Sequence, residues 1–255
     1  VATKILDSYF YYRTLFEIVK GNHCIIYQHY HTNSIKNYLF KDMGGKNSAV
    51  IQKNIHQKGH NGFYYDADLF FAIGNSTTKG AIEIGARLGK IVPVGSLFLE
   101  YYLSLNKPET TYQWDLVNFT GNAHYPGSYC DSYDSHNSDY KEHIKWMRQL
   151  SIEIPNFKIG VKHHTNYSIK SIESEFFDQS NIILIDQNLQ SYEIAFKTRI
   201  VVSWASTMII EMVELGKKSL FLNPGGRNHQ FVDDSMKSFS IESYKEFKDT
   251  VTNYL

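Results

Sequence analysis

The stretch Arg199–Gly226, RIVVSWASTMIIEMVELGKKSLFLNPGG, reads as one complete strand–turn–helix–strand unit. Ile200-Val201-Val202 is a β-branched run, too short for a helix and suited to a strand buried on both faces. Ser203-Trp204-Ala205-Ser206-Thr207 interrupts it with small polar residues. Met208, Ile209, Met212, Val213 and Leu215 then recur at helical spacing. Gly216 is predicted just past the helix end, with Lys217 and Lys218 beside the negative end of the dipole. Ser219-Leu220-Phe221-Leu222 is a second buried strand, and Asn223-Pro224-Gly225-Gly226 turns the chain at its carboxyl end. Units of this kind present their ligands where the strands end.

The polar break carries chemistry. Ser206 or Thr207 is placed to cap the helix, and the exposed N–H groups of a helix start attract an anion, most often phosphate. Glu211, one turn further on, reaches the position of a sugar hydroxyl beside that phosphate. In isolation the same pattern would be an ordinary cap followed by a solvated carboxylate. Between two buried strands, and ahead of an Asn-Pro-Gly-Gly turn, it reads as a ligand site.

The segment SWASTMIIEMVELGKKSLFLNP resembles the donor-binding part of the GT-B glycosyltransferases and their relatives. That group includes bacterial capsule, lipopolysaccharide and teichoic-acid enzymes and the UDP-sugar 2-epimerases. The resemblance implies that Ser206 and Thr207, with Ser203 at the strand end, bind nucleotide phosphate, and that Glu211 binds ribose or sugar hydroxyls.

Composition narrows the class. The chain of 255 residues has a formal net charge of zero and a pI near 7.3, so no basic field points to nucleic acid. Hydrophobic residues make up 42% and charged residues 20%, which is globular rather than disordered. The 19 Tyr and 16 Phe fit either sugar-stacking surfaces or buried aromatic packing. Two cysteines, Cys24 and Cys130, lack metal spacing and suit a reducing compartment. No run of ~18 apolar residues marks a membrane span, and no secretory signal pattern opens the chain.

Taken in order, residues 1–20 read as a helix with Ile5, Tyr9, Tyr12, Phe16 and Val19 on its apolar face. His23–Tyr27 is a strand, and Gln28-His29-Tyr30 follows at its carboxyl end. In the resembled teichoic-acid and capsule enzymes a Gln-His-Gly at a comparable strand end faces the acceptor, which implies a catalytic-base role for His29; here Tyr30 replaces the Gly. Residues 34–62 are polar and are expected to form an acceptor-side loop; His56 and His60 lack a third ligand for zinc. A strand over 68–74, a helix over 79–88 and the piece GKIVPVGS (89–96) close the first half as in the resembled amino-terminal domains.

The second half opens with a strand, Trp114–Phe119, delivering Thr120-Gly121-Asn122, where Gly121 lets backbone approach a phosphate or simply turns the chain. A long loop rich in Tyr, Ser and Asp precedes an amphipathic helix over 139–153. The strand Phe157–Val161 ends in Lys162-His163-His164-Thr165. Many GT-B enzymes carry Lys-x-His-Pro here, with the His on donor phosphate or the leaving group. The resemblance implies that role for His164, with Thr165 in place of Pro, and His163 competes for it; Lys162 joins the donor-binding set. A strand over 181–185, a short helix over 190–195 and a final helix over 241–254 complete the pattern.

The expected fold is α/β, with two Rossmann-like doubly wound parallel-sheet domains, an abbreviated or truncated first over 1–106 and a nucleotide-sugar-binding second over 107–255. The expected activity is metal-independent glycosyl or polyol-phosphate transfer from a CMP-, UDP- or CDP-linked donor in surface-polysaccharide assembly. Epimerisation or hydrolysis of a sugar nucleotide, or non-catalytic binding of one, are the alternatives. The transferase role implies a saccharide or lipid-linked saccharide acceptor, no further cofactor, and a cytoplasmic protein associated peripherally with the inner face of the membrane.

Overall fold

The computed structural model describes residues 2–28, 34–53, 65–83, 85–108, 111–120, 133–163, 181–203, 206–226 and 238–255. The chain divides into two compact units, with the change between Leu97 and Phe98.

The first unit runs α1 (Ala2–Ile18), β1 (His23–Gln28), α2 (Ser34–Asp42), β2 (Asn47–Gln52), β3 (Asp66–Ala72), a 3-10 turn with α3 (Lys79–Glu83), and β4 (Arg87–Pro93). Its four strands lie parallel in sequential order, with Ile26 beside Val50, Val50 beside Phe70 and Phe70 beside Ile91. Those side chains, with Tyr65 and Ala81, form its core.

Two expectations for this half need correction. Residues 34–62 are not one polar loop, because α2 and β2 lie within them. Leu39 and Phe40 of α2 and Val50 of β2 are buried, and the polar residues that hid these elements are themselves buried and bonded. Asn37 donates its side-chain amide to the Asp66 carbonyl, and Gln52 Oε1 accepts from Ile73 N–H at 2.9 Å and from Thr77 Oγ1 at 2.8 Å. Second, the helix from Lys79 stops at Glu83 rather than near Leu88. Gly85 takes φ +85°, its N–H bonds the Ile82 carbonyl, and Ala86 N–H bonds that of Ala81, which closes the helix and frees Arg87 to enter β4. The next helix is α4 (Leu97–Leu105), which from Phe98 onward groups with the second unit. The helix over 1–20 forms, but Val19 lies beyond it, and Ile5 and Val19 are exposed.

After α4 the second unit continues β5 (Trp114–Phe119), α5 (Tyr133–Glu153), β6 (Ile159–Lys162), β7 (Ile182–Leu184), α6 (Ser191–Phe196), β8 (Thr198–Ser203), α7 (Met208–Glu214), β9 (Lys218–Leu222), β10 (Ser240–Ile241) and α8 (Tyr244–Tyr254). All six strands are parallel, in the order β10-β9-β8-β5-β6-β7. Helix α5 begins six residues before its periodicity predicts. Its Ile144, Met147 and Leu150 pack with Leu116, Ile159, Val161, Ile200, Val202 and Leu220 on one sheet face, where Phe247 and Val251 of α8 join them. On β6, Gly160 is closely packed: a Cβ there would sit 2.6 Å from the Ile185 Cδ1 methyl and 3.0 Å from a Val117 methyl. Gly216 ends α7 with φ +72°, as its place after the apolar spacing predicts.

Candidate functional site

The order of the second sheet singles out the edge at which sheets of this kind take their ligands. The chain leaves β5 for β6 and β7 on one side, then returns to β8, β9 and β10 on the other. The connections therefore part between β5 and β8, and the crevice outside their carboxyl ends is the topological switch point of such a sheet. Phe119 of β5 stands beside Ser203 of β8 at that edge. Thr120 follows the one strand, and Ser206 and Thr207 follow the other.

Ser203 is fully buried, and its Oγ donates to the Phe119 carbonyl at 2.6 Å. This hydroxyl clasps the two strands at the crevice, so its proton is committed to protein rather than to a donor phosphate. Ser206 Oγ accepts from Met208 N–H at 3.3 Å. Thr207 occupies the cap position of α7 with helical backbone angles (φ −54°, ψ −29°) and makes no capping bond through its side chain. Of the two residues expected to cap, Ser206 is the one whose hydroxyl meets the helix start.

Glu211 departs from an ordinary helix-surface carboxylate. It is only 3% exposed, and its Oε2 accepts from the Tyr192 hydroxyl at 2.7 Å. A buried carboxylate is costly unless hydrogen-bonded, so its burial here marks a built arrangement. Tyr192 lies on α6, stacked face to face on Tyr102 of α4 with centroids 4.6 Å apart and planes 15° apart. The Tyr102 hydroxyl in turn donates to Gln190 Oε1 at 2.8 Å.

At the end of β6, Lys162 is buried and donates from Nζ to the Gln187 carbonyl at 3.0 Å. Burial lowers its pKa, with Asp186 pulling the other way. Its ammonium thus ties β6 to the turn after β7. His163 is also buried, and its Nδ1 shares a 3.0 Å hydrogen bond with Thr120 Oγ1 across the ends of β5 and β6. Three sequence-predicted residues, His29, Gly121 and His164, lie outside the described residues.

Sequence reasoning passed over three residues beside this edge. Leu116, Asn118 and Thr120 alternate onto the face of β5 that α5 covers, and His143 on α5 is in step with Met147 and Leu150. Asn118 and His143 are both fully buried, and among the described residues neither has a hydrogen-bond partner for its side chain. Burial, reinforced by the charge His163 can carry, pulls the His143 pKa down to about 3, so this imidazole stays neutral. The periodic signals were present for both. Tyr192, the third, had none, because its meeting with Glu211 joins two helices across 19 positions of chain. Among the described residues no group of three His, Cys, Asp or Glu is placed to hold a metal ion, and no helix is long and apolar enough to cross a membrane.

No protein-family model matches the chain, and no curated protein matches it significantly. Solved structures do. UDP-GlcNAc 2-epimerase from Neisseria meningitidis, bound to UDP-GlcNAc, superposes with a TM-score of 0.64 at 12% identity, covering 96% of this chain and 71% of that one. This chain has the GT-B fold. MnaA of S. aureus, in a co-structure with UDP, gives 0.63 at 12% identity over 98% of this chain and 76% of its own. MurG of Acinetobacter baumannii gives 0.54 at 10% identity over 99% and 70%. At these identities the likeness shows the GT-B fold alone. The expectation of two Rossmann-like parallel-sheet domains is met, with four strands in the first sheet and six in the second.

Proposed function

We propose that this chain is a sugar-nucleotide-processing enzyme whose second domain, 107–255, holds the nucleotide at the β5–β8 crevice. The observation that carries the reading is Glu211. It is a buried, hydrogen-bonded carboxylate one turn into the helix that starts after Ser206-Thr207, beside the switch point. The backbone N–H groups of the helix start would neutralise phosphate, Ser206 and Thr207 would hold it, and Glu211 would accept hydroxyl protons. His164 with His163 would face the departing phosphate, and a His at that place stabilises developing charge. Lys162 and Ser203 contribute by fixing the strand ends rather than by touching the ligand. Gly121 would let backbone approach the phosphate, and His29 would act as the base for an acceptor hydroxyl in the domain 1–106.

Transfer to a saccharide or lipid-linked acceptor, in surface-polysaccharide assembly at the inner face of the membrane, is the first reading. Epimerisation is the second, and a specific observation favours it: the structures named as 2-epimerases, from Neisseria meningitidis and Listeria monocytogenes, give TM-scores of 0.64 and 0.65, against 0.54 for MurG. One experiment separates them. The protein is incubated with UDP-GlcNAc in deuterated water, with and without a saccharide acceptor, and followed by NMR. Epimerisation at C2 must break the C2–H bond and proceeds without acceptor; transfer releases UDP only when acceptor is present. A thermal-shift series with CMP, UDP, GDP and CDP-glycerol in which no nucleotide raises the melting temperature would contradict both.

A further inference from the structure

We propose that Asn118 and His143 hold ordered water in the buried layer between the carboxyl end of β5 and helix α5. The proposal is independent of the nucleotide reading and of Glu211.

Two periods place these side chains. Leu116 and Val161 pack with Ile144, Met147 and Leu150, so they point to the face that α5 covers. Asn118 lies two residues on from Leu116, on the same face, with Val161 beside it on β6 and Val202 beside it on β8. Helix α5 leads from the carboxyl end of β5 to the amino end of β6, so its earlier turns lie toward the carboxyl edge. His143 is one turn before Met147, on the face that Met147 and Leu150 turn to the sheet. The charge that His163 can carry at the end of β6 reaches this ring, which puts it above the same edge. Both Asn118 and His143 are fully buried there.

Among the described residues, no hydrogen-bond partner meets either polar atom of the Asn118 amide or either ring nitrogen of His143. By contrast, Thr120 Oγ1 and His163 Nδ1 share a 3.0 Å bond at the same edge. Buried polar atoms in folded proteins are nearly always paired with protein or with ordered water, because an unmade bond costs the full desolvation of the group. The chemistry of these atoms selects water. The amide offers two N–H donors and an acceptor, and a neutral imidazole offers one of each. An anion would face the amide oxygen and the ring lone pair, and a metal cation would face the N–H groups. Water both donates and accepts, and suits such a mixed set. A few bound waters do not replace the bulk hydration of an imidazolium, so the ring stays neutral beside them.

A crystal structure of the full chain, at a resolution that shows ordered water, tests this. The expected result is water within hydrogen-bond distance of both side chains, shared between them or separate at each. Either side chain without water, whether dry, bonded to the other or bonded to another protein group, would overturn the proposal. Urea denaturation of His143→Leu adds a readout of opposite sign for the two cases, at a pH where the ring is neutral both folded and unfolded. With water in place, the variant breaks the ring's bonds and should lower the midpoint. In a dry layer it replaces an unbonded imidazole by an apolar side chain of similar volume, so an unchanged or raised midpoint would sink the idea. Should the variant fail to fold, the wild-type crystal structure alone decides.

Discussion

The two parallel sheets are covered to different degrees. In the second, every residue of β6 is buried, as are the last four of β5, β8 and β9. In the first, Ile25 of β1 is 67% exposed, Tyr27 is 44% exposed, and β4 has no fully buried residue. A parallel sheet ordinarily buries both faces under helices, and the second does so with α5 and α8 on one of them. The contrast separates their roles. The second sheet holds buried polar groups near its carboxyl edge, Asn118, Thr120 and His163, with His143 on α5.

Core truncation should break the comparison most visibly. Met147→Ala or Phe247→Ala removes a side chain with no exposure from the second sheet's core and should cost ~3–5 kcal/mol in urea denaturation. A loss under ~1 kcal/mol would mean that core is looser than its burial states. Next comes Glu211→Ala, expected to weaken nucleotide-sugar binding by ~1–3 kcal/mol in calorimetry; unaltered affinity would return Glu211 to a purely structural role.

The buried imidazole gives a smaller effect with a definite sign. The folded pKa of His143, about 3, lies below the ordinary value of 6.5, so the unfolded chain binds the extra proton first. Its contribution is fully present above pH 6.5 and is lost as the pH falls toward 3. Between pH 7 and 5.5 the wild type should lose roughly 1 kcal/mol through this group, and His143→Met should flatten that part of the profile. Equal slopes in the two proteins would show that the ring takes its proton as readily folded as unfolded. The smallest effect belongs to the first sheet: Ile25→Thr should change stability by under ~0.5 kcal/mol.

Much of this was legible. The run Arg199–Gly226 gave strand, helix and closing glycine with bounds nearly right, because β-branched and helical periods are local properties. Helix α2 and strand β2 were lost in a polar-looking segment, since Asn37, Ser48 and Gln52 are polar residues turned inward to bond backbone and Asp68. Ser206 and Glu211 could be singled out only by their place between two buried strands and by the family resemblance, since their spacing in isolation reads as an ordinary cap. The commitment of Ser203 to Phe119, of Lys162 to Gln187, and of Tyr192 to Glu211 could not, because each bond spans 19 to 84 positions of chain.

The account stands on a nucleotide lying at the β5–β8 edge of the second unit. A crystal structure of the full chain with UDP tests it directly. The predicted result is a phosphate within hydrogen-bond distance of the Ser206-Thr207 helix start, with the ribose hydroxyls on the Glu211 carboxylate and the Tyr192 bond intact. UDP bound elsewhere, or at this edge with its ribose turned away from Glu211, would contradict it.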